Sequence, residues 1–259
     1  MRSLLTVFCA AALVLSAAVA HAHFGMVIPT KSAVEDKKDA DITLTYAFAH
    51  PFEGKGMDLE IEKAQVFADG KATEMTAGLK PGKVMGKKGF TAAFKLARPG
   101  VYTFAMTPKP YWEPAEDKFI IHYTKTVVAA FGEEEGWAEP CGLPVEIVPL
   151  TRPFASYAGG VFRGKVLHNG KPVADCDVEV EYYNGTKGKY SAPNDYFVTQ
   201  VVRTDANGVF CANVPFAGWW GFAALVDGPD KMAFEGKDRD VELGGVIWTE
   251  FTAPVKAGK

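Results

Sequence analysis

Short runs of alternating polar and apolar residues, separated by turn dipeptides, dominate this chain and leave little room for any fold other than a β one. "DITLTYAF" (41–48) and "DLEIEKAQVF" (58–67) alternate with period two, the signature of strands with one buried face. "VYTFAMTP", "DKFIIHYTKTVVAAF", "VFRGKVL", "CDVEVEYY", "YFVTQVVRT" and "WGFAALV" are rich in β-branched and aromatic residues. Asp69-Gly70, Pro99-Gly100, Asn169-Gly170, Asn184-Gly185 and Asn207-Gly208 mark turns between them. No long stretch has helical periodicity. The expected fold is all-β: two immunoglobulin-like or prealbumin-like β-sandwiches in tandem.

The 259 residues, 48% of them hydrophobic, suffice for two cores. Prolines 140, 144, 149 and 153 crowd the stretch "EPCGLPVEIVPLTRPFASYAGG". The expected division is an N-terminal sandwich over 23–143, a proline-rich linker over 144–154 and a C-terminal sandwich over 155–259. The second half carries a module pattern of its own: "GKPV", then "TDANG", then a tryptophan strand.

The first 22 residues read as a signal peptide. Arg2 precedes an apolar run, Leu4 to Val19, and small residues give A-x-A cleavage sites after Ala20 and after Ala22. Phe8, not a small residue, precedes Cys9, which argues against a lipid anchor. The expected location is therefore the periplasm. A net charge of -3 gives no basic footprint for nucleic acid. Outside the signal lie Cys141, Cys176 and Cys211. An odd count in an oxidising compartment suggests one bridge and one spare thiol. Cys176 and Cys211, both on strands of the second module, are the expected pair.

Two of the five histidines, His21 and His23, stand at the expected cut in "AVAHAHFGM". Cleavage after Ala20 makes His23 the third residue, which wraps Cu(II) or Ni(II) in a square plane of amine, amide and imidazole nitrogens. Cleavage after Ala22 makes His23 the first residue, whose amine and imidazole form a two-nitrogen chelate with room for further ligands. The second cut suits a carrier better, because a closed square plane releases metal slowly. His50 in "FAHPFEG" ends a strand, with Glu53 nearby, and His122 in "DKFIIHYTK" shares a strand face with Ile120 and Thr124. "KPYWEP" sets Trp112 and Glu113 in a proline-bounded loop suited to walling a site. His168 reads as a solvent-facing turn residue. No nucleophile elbow, phosphate loop or H-E-x-x-H motif is present, so the chain does not read as an enzyme.

"AHAHFGMVIP", "FAHPFEG", "KPYWEPAEDKFIIHYTKTVV", "GLPVEIVPLTRP", "NGKPVADCDVEVEYYN" and "TDANGVFCANVPFAGWWGFAAL" together resemble the periplasmic accessory proteins of nickel/cobalt uptake. These form the NikK/NikM-type family, defined by a domain of unknown function. The resemblance spans nearly the whole chain after the signal. It implies Ni(II) or Co(II) as transported ligand, a membrane energy-coupling-factor transporter as partner, and an amino-terminal histidine as ligand. That points to His23 or His21, with His50 and His122 as partners. The alternatives are a periplasmic copper carrier, since Cu(II) outranks nickel at nitrogen sites, and a secreted β-sandwich interaction module that binds a protein or cell-wall polymer without metal.

Overall fold

The computed structural model describes residues 22–257. Residues 1–21 of the expected signal segment, His21 among them, lie outside the described residues. Among the described residues, no helix is long and apolar enough to cross a membrane. The architecture is nearly all β, with three short 3-10 turns as the helical elements described.

Three sheets build it. The first runs in the order Phe24–Pro29, Asp41–His50, Lys87–Lys95, Lys80–Val84. The third pairs Val161–His168 with Val145–Pro149 on one side and Val209–Asn213 on the other. The second is a large sheet that serves both halves. Gly100–Pro108 and Ile61–Ala68 lie on its N-terminal side, Gly218–Asp227 and Asp177–Tyr182 on its C-terminal side. At its centre Lys118–Ala130 runs parallel to Lys237–Thr252. One core holds Leu44, Tyr46, Phe104 and Ile120 between the first and second sheets. Another holds Phe162, Val178, Phe210, Phe222 and Ile247 between the third and second. The fold is thus two β-sandwiches that share one continuous sheet.

Turns form at Asp69-Gly70, Asn169-Gly170 and Asn207-Gly208, whereas Gly100 opens the strand Gly100–Pro108. Asn169 and Gly170, at φ 50 and 75, close a two-residue hairpin between His168 and Lys171, where both residues must take positive φ. Two expectations need correction. Val145–Pro149, placed in a proline-rich linker from its prolines, is a fully buried strand. Pro149 sits at the strand's end and Pro144 just before it, positions where a missing N–H costs no ladder bond. The expected Cys176–Cys211 disulfide is absent, and all three described cysteines are free thiols. Alternation explains this: Phe210 and Ala212 face the core, so Cys211 between them faces solvent. Cys176 is buried, with its Sγ 3.2 Å from the Leu225 carbonyl. Burial pushes the Cys141 thiol up to about 12, which keeps it protonated and unreactive.

A smaller cluster joins the halves and positions the amino-terminal segment. Ala22, Phe24 and Met26 pack against Ala223, Val246 and Trp248. The Trp248 indole donates its Nε1–H to the Gly25 carbonyl at 2.7 Å. Phe24–Pro29 pairs antiparallel with Asp41–His50, placing Phe24 opposite Ala49. His23 is thereby held beside the end of the strand that carries His50.

Candidate metal centre

His23 is 8% exposed, and its ring stands 4.7 Å from that of His50, centroid to centroid. Two imidazoles that each give one nitrogen to an ion at ~2.0–2.1 Å place their centroids roughly 4.5–5.5 Å apart. Nε2 of His23 lies 2.9 Å from Oε2 of Glu113. The other Glu113 oxygen accepts the Ala115 N–H at 2.9 Å, so this carboxylate is fixed at both ends. An ionised carboxylate only accepts, so Nε2 of His23 carries the hydrogen and Nδ1 keeps its lone pair. Burial lowers the His23 pKa first; His50 and His122 lower it further, against Glu113 and Glu116. The neutral, metal-competent ring is the favoured form.

His50 donates from Nδ1 to the Ala22 carbonyl at 3.0 Å. That carbonyl belongs to the peptide bond between Ala22 and His23. The turn after His50 is tied to the second half. The Phe52 N–H donates to Glu181 at 2.8 Å, and the Asn184 N–H donates to the Pro51 carbonyl at 3.1 Å.

His122 is 1% exposed and adjacent, but its nitrogens are directed elsewhere. The Gly25 N–H donates to its Nδ1 at 3.4 Å. Nε2 lies 3.7 Å from Glu242, an ion-pair separation too long for a hydrogen bond. The ring packs against Gly244 of the neighbouring strand. A Cβ there would come within 2.3 Å of the ring, so the close approach requires glycine. Burial would raise the Glu242 carboxyl, but His122 and Lys118 outweigh it and hold it down to about 2.

The other sequence candidates divide. Glu113 is in direct contact with His23. Glu53 pairs with Lys55 at 3.2 Å. Trp112 stacks on Phe234 at 4.3 Å and lines, with Phe48, Tyr111 and His122, a pocket of about 270 Å³. Sequence reasoning missed Glu116, whose Oε1 is 3.8 Å from His23 Nδ1, and Glu242. Neither had a signal beyond its charge. Among the described residues, no three or more His, Cys, Asp or Glu side chains are grouped so as to hold a metal ion by themselves.

Two carboxyls behind the site are raised. Burial lifts Glu181 to about 8 and Glu179 to about 7, the latter helped by Glu242 and Glu116. A folded value above the ordinary 4.5 means that the stabilisation is complete below pH 4.5 and is lost as pH rises through 7 and 8. His23 acts in the opposite sense, losing its contribution as pH falls below 6.5. The unfolding temperature of the metal-free protein should therefore drop by several degrees between pH 6 and pH 9. Glu181→Gln should remove much of that slope in a thermal melt series. An unchanged slope would mean that Glu181 is ionised when folded.

The family model Domain of unknown function (DUF4198) matches residues 20–228. The chain belongs to the DUF4198 family. The resemblance read from the sequence holds at this level, that of a family defined by a domain of unknown function. The DUF4198 match begins beside the expected cleavage sites and includes His23, His50, Glu113, Glu116 and His122. It ends before the strand that carries Glu242, Gly244 and Trp248. No curated protein matches the chain. Among solved structures, the D0-D1 domain of intimin is similar at 13% identity, with 89% of this chain and 100% of that one covered and a TM-score of 0.24. The Clostridium thermocellum CbhA fibronectin(III)-like modules match at 11% identity, 90% and 98% coverage, and a TM-score of 0.23. The Yersinia pseudotuberculosis adhesin InvE matches at 11%, with 85% and 58% covered and a TM-score of 0.24. Likeness at this level says nothing of function.

Proposed function

We propose that this DUF4198 protein is an exported carrier of Ni(II) or Co(II) that captures the ion at His23 after removal of residues 1–22 and hands it to a membrane transporter in the periplasm. The observation that carries this reading is the bond from His50 to the Ala22 carbonyl. Cleavage after Ala22 converts the His23 amide into an amine and removes that carbonyl. In one step it creates an amine donor and removes the carbonyl to which His50 Nδ1 is bonded. The 3.0 Å contact puts His50 Nδ1 within roughly 5 Å of that nitrogen, given peptide geometry. His23 Nδ1, already free of hydrogen, is the ring nitrogen that closes a six-membered chelate with its own amine. The side-chain set, two imidazoles short of a third donor, is completed by the amine.

An α-amine titrates near ~7.7–8.0 and a free imidazole near ~6.5, so protons compete and affinity falls in mild acid. The site cannot form in the uncut precursor, which keeps it from sequestering metal before export. Calorimetric titration with Ni(II) tests the reading on two forms, one beginning at His23 and one with a single alanine before it. The extended form should bind at least ~10-fold more weakly, since a direct ligand matters no less than an outer-shell partner. Equal affinities would remove the amine from the ligand set and with it this mechanism.

A further inference from the structure

We infer that Glu116 supplies a carboxylate oxygen to the metal held at His23. The inference rests on the proposed metal capture and adds a donor to it. Tyr111–Glu113 pairs antiparallel with Lys118–Ala130, Glu113 opposite Lys118. The tight turn between them, with Asp117 at φ 56, carries Glu116 back over His23. Its Oε1 then faces His23 Nδ1 at 3.8 Å, and its other oxygen accepts from Lys118 Nζ at 2.7 Å.

The chemistry of the two facing atoms decides what belongs between them. Glu113 takes the hydrogen of His23 Nε2, so Nδ1 presents a lone pair. Glu116 Oε1 presents another. Two acceptors facing each other repel unless a cation or a donor lies between them. Metal–nitrogen and metal–oxygen bonds of ~2.0–2.2 Å set two donors of one ion roughly 3–4 Å apart, and 3.8 Å falls in that interval. Glu113 is then the positioning residue. By holding Nε2 it presents Nδ1, the only ring nitrogen able to chelate with the amine, in the manner of the carboxylate–histidine pairs around metal ions. The donors at His23 itself are then its amine, its Nδ1 and the Glu116 carboxylate. A hard oxygen donor suits Ni(II) and Co(II) and disfavours soft Cu(I).

The test uses the chain beginning at His23 and its Glu116→Gln and Glu116→Asp variants, titrated with Ni(II) and with Co(II). Glu116→Gln should weaken Ni(II) binding ~10–100-fold and change the visible absorption of bound Co(II), with the metal-free unfolding temperature little altered. Glu116→Asp, which keeps the charge but shortens the reach, should also change the Co(II) spectrum. Wild-type affinity and an unchanged Co(II) spectrum in both variants would overturn the role of Glu116 and leave the amine–histidine site standing. No binding of either ion by the unsubstituted chain would overturn both.

Discussion

Glu146→Ala should destabilise the protein by about 3–5 kcal/mol, the cost of leaving one member of a buried ion pair without its partner. Lys125 and Glu146 are each 2% exposed and meet at 2.5 Å. Lys125 lies on Lys118–Ala130, the central strand of the shared sheet, and Glu146 on the buried strand Val145–Pro149. The Glu146 carboxylate also accepts the N–H groups of Cys141 and Gly142 at 2.7 and 3.0 Å. Its loss strands one buried cation and leaves two part-buried backbone donors without their acceptor. Against a total stability of ~5–15 kcal/mol, that is a large fraction. Replacing both members, Lys125→Met with Glu146→Leu, should restore the part of the loss that comes from the unpaired cation, since apolar pairs of similar volume substitute for buried ion pairs, while the Cys141 and Gly142 N–H groups stay without their acceptor. Denaturant unfolding of the single and double variants measures both. A single variant within ~1 kcal/mol of the parent would show that Lys125 reaches water, contrary to its burial.

Trp248→Ala is the second large effect, expected at about 3–5 kcal/mol. Trp248 is fully buried between the halves, against Phe24 at 5.8 Å and Tyr183 at 6.3 Å. Its indole fixes the Gly25 carbonyl, two residues from His23. The substitution removes both the packing and the bond that seat the amino-terminal segment. Trp248→Phe keeps most of the packing and loses the hydrogen bond, so its cost should be nearer ~1–2 kcal/mol. Ni(II) affinity should fall further in Trp248→Ala than in Trp248→Phe, because a ligand on an unpinned segment must be ordered on binding. Equal affinities in the two variants would show that the terminus is seated without Trp248.

The histidines show where reading the sequence stops. His50 and His23 were both legible as candidates: one ends a strand before a proline, the other follows an A-x-A site. Their 4.7 Å approach was not, because it depends on Phe24–Pro29 pairing in register with Asp41–His50. His122 was legible as a mid-strand residue sharing a face with Ile120. That its nitrogens turn to Gly25 and Glu242 depends on Lys237–Thr252, more than 110 residues later, lying parallel beside it with Gly244 against the ring. Glu116 gave no signal at all. A glutamate in a polar turn is ordinary until the hairpin places it over an imidazole.

By itself the sequence determined the β class, the two-sandwich architecture and several turns, because these are local. Period-two alternation states which face is buried, and an Asn-Gly pair states its own backbone conformation. Register between distant strands is not local. It is set by which apolar faces bury one another, and only the tertiary structure decided it. That register turned Val145–Pro149 from a presumed linker into a core strand, since an extended proline-flanked segment becomes a strand once a neighbour offers hydrogen bonds to it. It set Cys211 facing solvent and Cys176 facing the core, out of reach of each other. It also brought His23, His50, Glu113 and Glu116 together from three separate segments of the chain, seated at the seam between the sandwiches by the burial of Phe24 against Trp248.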